Sequence, residues 1–103
     1  MNNEFELVVC VVNEGFAETV MDAARTQGAK GGTIIGARGS ANPEAERIFN
    51  ITVEPHKEVV LIVVKKEHSD DIMKSIYDRV GLGTEGAGIA FTLPVDETLG
   101  IVQ

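Results

Sequence analysis

The chain holds one cysteine, Cys10, so no intrachain disulfide can staple it, and a lone thiol fits a reducing compartment. Cations are also scarce. Nine lysines and arginines stand against sixteen aspartates and glutamates, a net charge of −7. That balance excludes general binding to nucleic acid or to an anionic membrane surface, because either needs a basic patch. A small anionic ligand stays open only if a local group supplies the positive field. Long hydrophobic runs are missing too, and none could span a bilayer. The opening "MNNEFELVV" has no basic region ahead of its apolar stretch. The expectation is a cytoplasmic protein without a signal peptide.

What is present is one domain's worth of chain, 103 residues with ordinary hydrophobic content. Residues 6–12, "ELVVCVV", are apolar and β-branched and read as a buried strand. Residues 15–27 read as a helix with Phe16, Val20, Ala23 and Ala24 on one face and Gly28 to end it. "TIIGARG" reads as a second strand. Residues 39–57 carry two prolines and much polarity and read as a long excursion, with "RIFNITV" as an extended arm in its second half. Residues 58–65, "EVVLIVVK", are the strongest strand signal. A second helix is expected from Ser69, a good N-cap, to Val80, with Ile72, Met73, Ile76 and Val80 facing the core. A glycine loop, 81–88, then leads into a last strand, 88–95.

The order β-α-β, β-α-β predicts an α+β, ferredoxin-like sandwich: a four-stranded antiparallel sheet with two helices on one face. A sheet with one wet face should alternate apolar and polar residues. "LVVCVV" and "VVLIVV" do not alternate, so both faces should be covered. Two helices cover one. The other needs a partner, most simply further copies of the chain.

The glycine loop raises the question of function. Gly81, Gly83, Gly86 and Gly88 fall within eight positions. They serve either a tight turn or a nest of backbone N–H groups around an anion. Glu85 inside the loop repels a highly charged ligand and favours one with fewer phosphates. Arg38, ending strand two beside Gly39, is the best candidate for local positive charge, with Lys30 and Arg47 behind it. Cys10, His56 and His68 are too far apart along the elements for one subunit to form a metal site from them. No nucleophile–base pair is brought together, so no enzyme is expected.

The pattern Gly83-Thr84-Glu85-Gly86-Ala87-Gly88 and the stretch "GAKGGTIIGARG", residues 28–39, together with the order of elements over residues 5–95, resemble the PII-like signal-transduction family. The resemblance implies a homotrimer with its sheets facing a shared centre. It implies an adenine nucleotide (AMP, ADP, ATP or a cyclic adenylate) bound between subunits as an effector rather than a cofactor. Gly31 and Thr33 would line base and sugar. Gly83, Gly86, Ala87 and Gly88 would meet phosphate, and Arg38 and Gly39 would join the cleft to the long loop. That loop, with Asn42, Glu44, Arg47 and Phe49, would dock on a target, a membrane transporter or an enzyme. Departures are visible. The family's acid and lysine in the glycine loop are Ala87 and Ile89 here, and its paired arginines give way to "DETLGIVQ". Two other readings are a trimeric adaptor that needs no ligand and a divalent-cation tolerance trimer, which shares the fold.

Overall fold

A computed structural model of the chain describes residues 4–40, 44, 47, 55–83 and 87–101. The elements run β1 (Phe5–Asn13), α1 (Ala17–Arg25), β2 (Thr33–Arg38), β3 (His56–Lys65), α2 (Lys66–Val80) and β4 (Gly88–Pro94). The strands form one sheet in the order β2-β3-β1-β4, every neighbouring pair antiparallel. This is the expected α+β sandwich.

Register decides which residues share a face, since directly paired residues of antiparallel strands point the same way. Val8, Cys10 and Val12 of β1 and Val60, Ile62 and Val64 of β3 face the helices and form the core with Val20, Met21, Ile72 and Ile76. Burial pushes the Cys10 thiol up to about 11, so it stays protonated at neutral pH and packs as a small hydrophobe. The opposite face carries Leu7, Val9 and Val11 of β1, Val59, Leu61 and Val63 of β3, Ile35 of β2, and Ile89, Phe91 and Leu93 of β4. In the single chain, Val63, Ile89, Phe91 and Leu93 remain 42%, 59%, 40% and 48% exposed. An apolar sheet face this broad is the uncovered surface that the non-alternating strands demanded.

Both helices begin in ways the sequence did not signal. The residue before α1, Phe16, is half-exposed, and its side chain caps nothing. The carboxylate of Glu58, across on β3, accepts hydrogen bonds from the Gly15 N–H at 2.7 Å and the Ala17 N–H at 3.2 Å. It does the work of an N-cap from a distant strand. Helix α2 starts at Lys66, three residues before the expected Ser69 cap. The Lys66 N–H donates to the Glu4 carbonyl at 2.7 Å, so the helix leaves β3 at once, and Ser69 is buried within it. Helix α1 is shorter than its periodicity suggested. The Thr26 hydroxyl donates to the Ala23 carbonyl, and Gly28 turns the chain at φ 103°.

The long excursion has a closed neck. Arg38 pairs with His56, and the Gly39 N–H donates to the Pro55 carbonyl at 2.7 Å. His56 and Lys57, expected in the excursion, already belong to β3. Glu44 and Arg47 are exposed and helical, so Arg47 does not begin an extended arm. Asn42 and Phe49 lie outside the described residues, as does most of "RIFNITV".

Candidate functional site

The glycine loop starts where α2 stops. Gly81 caps the helix in the left-handed region at φ 77°, and both its N–H and that of Leu82 donate to the Tyr77 carbonyl, at 3.0 and 3.3 Å. Gly83 follows, exposed, beneath the Tyr77 ring. Ala87 is a half-buried bend that leads into Gly88, the first residue of β4. Gly86 lies outside the described residues.

Two of these glycines have structural reasons of their own. Gly88 sits at φ 134°, and a Cβ there would run into the Val11 carbonyl oxygen and come within 3.2 Å of the Val12 Cα. A Cβ at Gly83 would strike the Tyr77 hydroxyl. Gly31 differs, with nothing within 4 Å of its absent Cβ. Gly32 is closed off by the Leu61 carbonyl, Met21 and Ile62, while Gly39 meets only the stem of Lys57.

The sheet order separates the candidate residues into two groups. Gly31, Thr33, Arg38 and Gly39 belong to the β2 edge, and Gly83, Ala87 and Gly88 to the β4 edge. Three strand spacings of about 4.8 Å put those edges roughly 14 Å apart. Along the strands, however, Gly36, Glu58, Val12 and Gly88 form one cross-sheet row. Arg38 and Gly39 therefore share an end of the sheet with the glycine loop. Thr33 lies in the middle row with Leu61, Val9 and Phe91, its side chain on the open face. One subunit does not bring the predicted site together.

Cations cluster in two places. At the glycine-loop end, Arg38 is exposed, and Lys57 lays its stem over Gly39 while its amine donates to the Asn13 side-chain oxygen. At the far end, β2 pairs only with His56–Leu61, and a cavity of about 190 Å³ opens beside the tip of β3 that β2 leaves uncovered. Its walls include Lys30, Val63, Lys65, His68, Ile72 and Ile101, an apolar floor with a basic rim. Lys57 and Lys65 escaped the sequence reading, and His68 was weighed only as a metal ligand. Their one signal was adjacency to the ends of the strongest strand. Among the described residues no group of three His, Cys, Asp or Glu could hold a metal ion. No helix among them is long and apolar enough to cross a membrane.

The architecture defines a class: a small α+β sandwich with a broad apolar sheet face left uncovered in the single chain and its candidate glycines on opposite edges. The family model described as nitrogen regulatory protein P-II matches residues 5–102, and the chain belongs to that family. Members are regulatory signal-transduction proteins and not enzymes. Three solved structures illustrate the likeness. The PII protein of Arabidopsis thaliana bound to citrate is 26% identical with a TM-score of 0.68, covering 91% of this chain and 77% of that one. The Bacillus subtilis GlnK–ATP complex is 19% identical with a TM-score of 0.74, covering 96% and 88%. A PII-like signaling protein of Thermus thermophilus is 21% identical with a TM-score of 0.66, covering 88% and 85%. A search of curated protein sequences returns no match.

Proposed function

We propose that this chain is a homotrimeric sensor that binds an adenine nucleotide between subunits and controls a target protein through residues 39–57. The observation that carries this reading is the split of the candidate residues between opposite sheet edges. A closed ring of three copies uses a heterologous interface, in which one surface of each copy meets a different surface of the next. With the open faces turned inward, the β2 edge of one subunit meets the β4 edge of its neighbour. Residues about 14 Å apart in one chain then confront each other across a cleft. Gly83, Gly86, Ala87 and Gly88 offer backbone N–H groups to phosphate from one side. Gly31 and Thr33 line the base and sugar from the other, and Arg38 and Gly39 lead from the cleft to the closed neck of the long loop. Trimers, effectors such as ATP and target proteins are general to the family.

The ligand signals only if it binds one state of the long loop better than another. Asn42, Glu44, Arg47 and Phe49 are the residues of that loop assigned to docking, on a membrane transporter or an enzyme. The test is a thermal-shift series with ATP, ADP, AMP, cyclic AMP and cyclic di-AMP, with assembly mass followed by light scattering. Ligand at about 100 times its Kd adds about 2.7 kcal/mol per site, roughly ten degrees for a domain of this size. A shift from one adenylate, lost in Gly86→Ala with the trimer intact, supports the sensor. The packing reasons for glycine at 83 and 88 favour the ligand-independent adaptor instead. An intact trimer with no shift from any adenylate decides for it.

A further inference from the structure

The cavity at the far tip of β3 lies apart from the glycine-loop end of the sheet. The cross-sheet row that joins Gly36 to Gly88 passes through β1 at Val12, while the cavity's row passes through β1 at Phe5, opposite Lys65. The seven residues of strand from position 5 to position 12 separate the rows by about 23 Å. The cavity has two unlike parts. Phe5 and Ile72 are buried, and with Val63 and Ile101 they make an apolar floor. Lys30, Lys65 and His68 stand around it, and none of the described lining residues is acidic. A lining with cations and no acids runs against the average of a chain whose net charge is −7. Lys30 and Lys65 form no ion pair among the described residues. Two carboxylates stand outside the lining. Glu67 Oε1 is 3.8 Å from His68 Nε2, and Glu4 shares a neighbouring hollow with Lys65. The His68 ring itself rests against the turn at Gly28, 3.6 Å from where a Cβ would stand.

We propose that this cavity binds a small carboxylate with a compact aromatic or branched hydrocarbon body. The volume of about 190 Å³ sets the size, since an apolar cavity of about 150 Å³ already admits benzene. The floor takes the hydrocarbon out of water, and Lys30 and Lys65 hold the carboxylate at the rim. A charge without a hydrocarbon body leaves the floor empty. A hydrocarbon without a charge leaves both ammonium groups to water. The inference does not rest on the nucleotide reading, because the cavity and the glycine loop lie at opposite ends of the sheet.

Benzoate is the probe, titrated into the assembled protein while backbone amide shifts are followed by NMR, with acetate, benzyl alcohol and ADP in parallel. Benzoate should move the amides of Ala29, Lys30, Val63 and Lys65 in a saturable way and leave Gly88 in place. Acetate lacks the body and benzyl alcohol the charge, so each should bind at least about tenfold more weakly. Lys30→Gln and Lys65→Gln should each weaken benzoate about tenfold with the melting temperature unchanged, since neither side chain is buried. No saturable shift from benzoate, or binding that both variants leave intact, would overturn the proposal. Displacement of benzoate by ADP would overturn it too, by making the cavity part of the nucleotide cleft. Should no adenylate bind, the nucleotide reading falls, and the benzoate titration still decides this one.

Discussion

Replacing Gly88 by alanine separates backbone geometry from ligand binding. The native φ of 134° is a region that L-residues rarely adopt, and holding one there costs about 1–3 kcal/mol. The new Cβ meets the Val11 carbonyl and the Val12 Cα, backbone atoms of the strand beside it, which cannot swing away as a side chain would. Relieving that contact by shifting β4 adds about 1–3 kcal/mol. The sum, about 2–6 kcal/mol, is a large part of the roughly 5–15 kcal/mol that holds a domain folded. At about 4–8 °C per kcal/mol, the melting temperature falls by at least about 8 °C. Urea unfolding at fixed protomer concentration measures the loss directly, with no nucleotide present. Gly31→Ala is the control, since nothing lies within 4 Å of its Cβ, and its stability should stay within about 0.5 kcal/mol of wild type. A Gly88→Ala protein that unfolds at the wild-type urea concentration would refute the packing account and return Gly88 to the ligand.

Two further outcomes follow from the fold. Glu58→Ala leaves the Gly15 and Ala17 N–H groups without their acceptor, so urea unfolding should register a loss of about 1–3 kcal/mol, with Glu58→Gln closer to wild type. Phe91 is 40% exposed in the middle row of the open face, on the edge strand β4, about 80 Å² of a side chain that offers 150–250 Å². Covering it contributes about 2 kcal/mol per copy at 25 cal/mol/Å², and Phe91→Glu should yield a smaller assembly by light scattering at unchanged helix content.

The elements were legible because each carried its own periodicity, and the uncovered face because β1 and β3 fail to alternate. What escaped the sequence depends on contacts between distant positions. Ser69 has the chemistry of an N-cap, but the Glu4 carbonyl takes the Lys66 N–H and starts α2 a turn early. Phe16 has the spacing of a core residue, but Glu58 holds the chain there, and the ring stays half-exposed. Local pattern reports which face is apolar. It does not report which distant carboxylate or carbonyl waits at a helix end. The same limit applies to the candidate site, where the family resemblance assigned both groups of glycines to one proposed cleft while only the sheet order shows that the groups belong to opposite edges.

That separation changes which glycine can answer a question about ligand. A glycine cluster looks uniform in sequence, and each member invites the same substitution. In the fold they differ. Alanine at Gly88 meets the backbone of a strand, so lost binding there would follow from a displaced β4 as readily as from a blocked phosphate, and at Gly83 it meets the tip of the exposed Tyr77 side chain. Alanine at Gly31 meets open space within its own subunit. Among the described residues nothing obstructs it, so an obstacle would come from outside them, such as a neighbouring subunit or a bound molecule. If Gly31→Ala keeps the trimer and loses the adenylate, a methyl group will have found the ligand where the fold itself leaves room for one.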